Sequence, residues 1–378
     1  MNSLFPFGFD THLSFYLVVY VLTLVVHVFL MAYVLAGSLW LAWATICPGT
    51  GSIPRTQQPV SRLLRDWMPF ALSGAITAGV APLLFVQVLY RQQFYTANLL
   101  LGWRWMVVIP VLVAAFYLLY VAKSEAVSRW PLGVRLGLSL GIAACFLFVA
   151  FCWTANHLLS LNSAAWPDAY RAGEAVRSPL ALVLRLLTWL AGTFPTMSIL
   201  TSWQLQGMRS RVAAWDSSID DTQWDELFQW EFRRLARVSI AGIVMAVVCA
   251  WGYWTTLEPS IRSHLTGHAG LPWLITLIAG SSLQVAGWFI QLRRTCFCSH
   301  WRIALTAALL ITLLAGASLR EIIRLSQANL DQVAASTKAA AQVGGLGLFL
   351  LFTVVNTGLI AWCIQMVRSN ARVAKTVE

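Results

Sequence analysis

Long apolar runs of bilayer length alternate along this chain with short polar punctuation. A helix crosses the hydrocarbon of a membrane in about 20 apolar residues. Continuous runs of this kind read as helices rather than strands, because in lipid each segment must satisfy its own backbone N–H and C=O groups. The runs predict nine spans, at about 13–46, 68–94, 105–122, 134–161, 179–206, 235–257, 272–292, 301–323 and 344–367. The expected fold is therefore an all-α polytopic bundle, one integral membrane domain over residues 1–378. The first run exceeds a single crossing and should tilt or project. Residues 1–10 carry no Lys or Arg, so they lack the basic region of a cleaved leader.

Two interruptions of the pattern stand out. Between Gly79 and Pro110 two apolar runs, each with one proline, meet at a polar elbow, Arg91-Gln92-Gln93-Phe94-Tyr95-Thr96-Ala97-Asn98. Just before it, Gly74/Ala78 and Ala75/Gly79 are small residues one helical turn apart, which predicts close helix packing. Pro82 removes a backbone bond near Ala78 and predicts a kink. The second interruption, 209–235, gathers Asp216, Asp220, Asp221, Asp225, Glu226 and Glu231. Trp224, Leu227, Phe228, Glu231, Phe232 and Leu235 then fall at helical spacing. They predict a short amphipathic helix lying on the inner surface and feeding the sixth span. Two roles stay open for it: packing on its own bundle, or docking other membrane or redox subunits.

Composition sharpens the picture. Hydrophobic residues are 58% of the chain and charged ones 11%, too apolar for an exterior facing water. Nineteen tryptophans suit the membrane–water boundary, and the lipid bilayer is the first partner implied. The net charge of +11 is dispersed among loops without an aromatic-interleaved basic platform, so it does not point to nucleic acid. With the N-terminus outside, seventeen Lys and Arg fall on inward segments and eight on outward ones. That bias predicts an N-out, C-in chain, here read as a multi-pass protein of a bacterial inner membrane. The seven cysteines form no disulfide pattern, and no CxxCH for covalent haem occurs. Cys296-Phe297-Cys298 is at most half of a metal site.

Candidate chemistry is sparse. No phosphate-cradling loop, HExxH or GxSxG is present, which removes the common ATPase, metalloprotease and serine hydrolase classes. His27 lies inside the first span among apolar residues and should turn into the bundle. It is either an axial ligand to a haem b iron or a neutral imidazole bonded to a neighbouring helix. Met31 shares its face, but neighbours on one helix cannot take opposite sides of one iron, so a second ligand must come from elsewhere. His157, near the outward end of the fourth span, is a second cofactor-binding candidate. His27 is about 21 Å into its helix and His157 about 6 Å from its helix end, so a shared haem requires the first helix to project. On the outward side, Glu321 and Arg324 of Arg320-Glu321-Ile322-Ile323-Arg324 share a helix face. With Gln92 and Tyr95 of the elbow they form a candidate catalytic pocket for a quinone head group, which needs donors for its carbonyls and a group to take protons. The same residues also suit interfacial anchoring.

Nine helices, an outward N-terminus and a histidine inside the first helix together resemble subunit I of cytochrome bd-type quinol oxidases. The resemblance implies that His27 binds a high-spin b-type haem. The chain departs from that family in lacking its glutamates on an early helix and its long quinol-binding loop, in whose place stand only residues 258–271. The elbow also resembles stretches of uncharacterised multi-pass bacterial membrane proteins. The function expected is a haem b-binding or quinone-interacting subunit of a bacterial membrane electron-transfer complex. A cofactor-free scaffolding subunit and a small-solute transporter are the alternatives.

Overall fold

A computed structural model describes residues 11–47, 55–173, 178–209, 221–294, 298–342 and 345–377. Among these residues the fold is helical throughout, without a strand. In chain order the helices are α1 (Thr11–Ile46), α2 (Pro59–Leu89), α3 (Arg91–Leu101), α4 (Trp103–Met106), α5 (Val108–Lys123), α6 (Leu132–Leu161) and α7 (Trp166–Ala172). They continue with α8 (Pro179–Arg209), α9 (Asp221–Thr256), α10 (Pro259–Thr266), α11 (Leu271–Arg293), α12 (Ser299–Gln327), α13 (Leu330–Gln342) and α14 (Gly345–Val377). Among the described residues eight helices are long and apolar enough to cross a membrane. There are nine if the bent pair Leu330–Gln342 and Gly347–Leu359 counts as one span. Large side chains such as Phe70, Ile109 and Trp251 point outward from the bundle, which makes lipid the natural solvent for that face.

The first helix is the hub. It packs against α2, α6, α8 and α12, and its buried Tyr33 and Trp40 enter the main core beside Leu64 and Met68 of α2. The small residues of α2 do what their spacing predicts. A methyl group placed on Gly79 would sit 2.9 Å from both Nδ1 and Cε1 of His27, and one on Gly74 would meet Leu30. The same device recurs at glycines outside those paired small residues. Gly242 of α9 lies against the Ala191 carbonyl of α8, and Gly280 and Gly287 of α11 lie against Thr312 and Leu305 of α12. In lipid, where apolar burial gains little, backbones approach closely at such positions and dispersion and interhelical hydrogen bonds hold them.

Two interruptions resolve differently from expectation. The elbow is not a turn but an amphipathic helix, α3, set off from α2 by a break at Tyr90 (φ −129°, ψ 42°). Phe94, Ala97 and Leu101 are its buried face, at spacings of three and four, while Arg91, Gln92 and Tyr95 face outward. Gly102 closes it with a φ of 57°, a conformation that costs glycine little and side-chain-bearing residues more. The acidic segment 209–235 was expected to hold a separate surface helix. Residues 210–220, with Asp216 and Asp220, lie outside the described residues. From Asp221 onward the segment runs without a break into the sixth long helix. Its inner face carries Phe228, Glu231 and Phe232 into the bundle, where the two phenylalanines join the main core and Glu231 faces Val60 of α2.

Candidate ligand site at one end of the bundle

Five helix segments bring polar side chains together where α1, α2, α6, α8 and α12 converge. The hub is Arg324, three residues before the end of α12 and almost wholly buried. Its Nη2 donates to Nδ1 of His157 on α6 at 2.9 Å. Its Nη1 lies 3.2 Å from the Tyr20 hydroxyl of α1 and 3.4 Å from a carboxylate oxygen of Glu321. One turn earlier, Arg320 donates to the same Tyr20 oxygen at 2.8 Å. The guanidinium of Arg324 also rests 4.8 Å from the ring centre of Tyr90, the buried residue that separates α2 from α3. Arg185 enters from α8, stacked on Tyr253 of α9 at 5.1 Å, and acts electrostatically on His157 together with Arg320 and Arg324.

The donor roles fix the chemistry of His157. A guanidinium has N–H groups only, so Nδ1 must offer its lone pair, and the imidazole is neutral with its proton on Nε2. That Nε2–H is buried and has no acceptor among the described residues, and His157 is 2% exposed. The Tyr90 hydroxyl and Nε of Arg324 are likewise buried without a partner. Native interiors satisfy nearly all such groups, which makes this cluster a candidate ligand site; the Glu231–Arg234 pair carries three buried atoms of the same kind.

The structure therefore splits the pocket anticipated from sequence. Glu321 and Arg324 belong to the buried cluster, and His157 joins them there. Gln92 and Tyr95 instead line an open groove of about 320 Å³ with Arg91, Thr96, Gln332 and Ser336. Gln92 accepts from Gln332 of α13 at 2.9 Å across that groove. Leu89 lines the groove and Tyr90 abuts the cluster, so consecutive residues border the two spaces. Asn98, further along the elbow, accepts from Asn156 of α6 at 2.6 Å and ties α3 to the helix that carries His157.

His27 stands apart from this cluster. Its Nδ1 pairs with the Ala75 carbonyl of α2 at 2.9 Å, which makes Nδ1 the donor and leaves the lone pair on Nε2. That tautomer suits both readings of His27, since an iron ligand needs a free Nε2 and a packed core histidine needs one satisfied bond. Met31 turns into the main core beside Leu30, and His157 is committed to Arg324, so neither is placed opposite His27. Among the described residues no group of three His, Cys, Asp or Glu side chains is gathered for a metal ion, and Cys296 lies outside them.

Tyr20, Tyr90 and Arg185 were not singled out by the sequence. Arg185 had a legible signal, a guanidinium in the middle of an apolar run. Tyr20 and Tyr90 had none, because a tyrosine in a membrane helix is ordinary until its neighbours are known.

A second buried pair sits on the acidic segment. Glu231 accepts from Arg234 at 3.4 Å, and Arg234 donates to Gln58 at 2.7 Å while lying 4.0 Å and 4.5 Å from the rings of Trp40 and Trp43. The Glu231 carboxylate also faces the backbone N–H of Val60 in the first turn of α2, where the helix dipole favours an anion. These contacts join α9 to α1 and α2, and Oε1 of Glu231 with Nε and Nη2 of Arg234 are buried without a hydrogen-bond partner among the described residues.

No family model, curated protein or solved structure matches the chain.

Proposed function

We propose that the chain is a quinone-interacting integral subunit of a bacterial inner-membrane electron-transfer complex, N-terminus outside, with α13 and α14 together forming a ninth span. The observation that supports this reading most directly is the buried Nε2–H of His157, a donor with no acceptor among the described residues in a His–Arg–Glu–Tyr cluster. A quinone head group offers two carbonyl oxygens on opposite sides of a ring. His157 and Tyr90, both in contact with Arg324, are two donors suited to them. Oxidation of a quinol releases two protons, and Glu321 is the carboxylate placed to receive one. In this reading Gln92 and Tyr95 line the approach from the membrane boundary rather than the site itself. His27 would hold a b-type haem through Nε2, and the haem would supply one-electron storage.

Two measurements on full-length protein in detergent test this. A short-chain quinone should quench tryptophan fluorescence saturably, and His157→Gln should weaken binding by about tenfold, the size of one buried hydrogen bond. No saturable binding, or binding unchanged in His157→Gln, overturns the quinone reading. For the haem, a reduced-minus-oxidised spectrum should show an α-band that is lost in His27→Ala. No chromophore in protein expressed with ample haem removes the haem and leaves His27 as a packing residue. Protein that binds neither group returns the scaffolding and transporter readings, and uptake into proteoliposomes separates those two.

A further inference from the structure

We infer that the cluster around Arg324 selects its ligand as an anion. The inference rests on the quinone reading for the class of ring it names, but on charge and hydrogen-bond inventory for the anion. Arg185, Arg320 and Arg324 bring three positive charges, and Glu321 brings the one carboxylate paired with them among the described residues. Guanidinium groups stay protonated in proteins, so the surplus cannot be removed by loss of a proton. Arg185 and Arg324 are buried and Arg320 is half-buried, and buried uncompensated charge is expensive.

The hydrogen bonds show the same imbalance. Three acceptor atoms are already committed: Nδ1 of His157 to Arg324, the Tyr20 oxygen to both Arg320 and Arg324, and Oε1 of Glu321 to Arg324. The buried atoms of the cluster without a partner among the described residues can all donate, namely Nε2–H of His157, Nε–H of Arg324 and the hydroxyl of Tyr90. A water molecule would accept from one or two of these donors and leave the charge untouched. An ionised oxygen on a flat ring meets both deficits. The ligand class is therefore an aromatic oxyanion: a hydroxyquinone with an ionised ring hydroxyl, or an aromatic carboxylate. The bound oxygen would lie among donors that are stronger for being charged.

The experiment compares ligands of one shape and different charge. Full-length protein in nanodiscs of phosphatidylcholine, where no anionic headgroup competes, is titrated at pH 7 by tryptophan quenching. The ligands are 1,4-naphthoquinone, 2-hydroxy-1,4-naphthoquinone (ionised at this pH) and 2-naphthoate. The hydroxyquinone should bind at least about tenfold tighter than the neutral quinone. Arg185→Gln should shrink that ratio, and Arg185→Lys, which keeps the charge, should restore it. Equal affinity for the neutral and ionised quinones overturns the anion inference and leaves the quinone reading intact. Binding of 2-naphthoate without either quinone supports the anion and removes the quinone. Binding of none of the three removes both.

Discussion

At the scale of single residues, this protein pairs its buried charges in two different ways. Glu231 and Arg234 are matched one to one, and the guanidinium is further covered by Trp40 and Trp43. Around Arg324 the guanidinium groups outnumber the one carboxylate paired with them among the described residues. The balanced pair should behave as structure. Replacing Arg234 by Met leaves Glu231 alone in the interior and should destabilise the protein by about 3–5 kcal/mol, whereas adding Glu231→Gln should recover much of that loss. Thermal unfolding in detergent, followed by near-ultraviolet circular dichroism, measures both. A double variant no more stable than the single one would show that the two side chains are not coupled.

At the scale of helices, small residues decide which pairs can touch. The α1–α2 contact is the clearest case, since Gly79 leaves room for the His27 ring and Ala75 supplies the carbonyl it bonds. Gly79→Val should push the ring away, break that bond and destabilise the bundle by about 1–3 kcal/mol. Combining it with His27→Ala should cost less than the sum of the two, because the clash disappears with the ring. Unfolding midpoints of the four proteins in one detergent give the answer, and strict additivity would count against the contact. Spacing alone announced this interface through Gly74, Ala75, Ala78 and Gly79. It did not announce that the elbow is itself a helix. The polar residues at 91–98 read as an elbow between two apolar runs, but Phe94, Ala97 and Leu101 give α3 a buried face once α6 is beside it.

At the scale of the whole molecule, the cluster around Arg324 gathers toward the ends of its helices: His157 near the close of α6, Arg320 and Arg324 near the close of α12, Arg185 near the start of α8. With the N-terminus outside, that end faces outward and Cys298 lies at the opposite end, exposed. A variant retaining Cys298 as its only cysteine should react with a membrane-impermeant maleimide only after intact cells or spheroplasts are permeabilised. Labelling of intact spheroplasts would reverse the orientation and place the ligand site on the inner face.

Hydropathy by itself determined that the chain is a bundle of membrane-length helices, because a run of apolar residues in lipid has no other way to satisfy its backbone. It also singled out His27, His157, Glu321 and Arg324, since ionisable groups are conspicuous against hydrocarbon. Only the tertiary structure decided which of them meet. His157 and Arg324 are 167 positions apart in the chain, and Tyr20 and Arg324 are 304 apart. Periodicity places a side chain on a face of its own helix, but which helix that face meets depends on close packing between segments remote in sequence. For the same reason Gln92 and Tyr95 parted from Glu321: helical order at the elbow turned them outward, and Tyr90 stands between the two spaces.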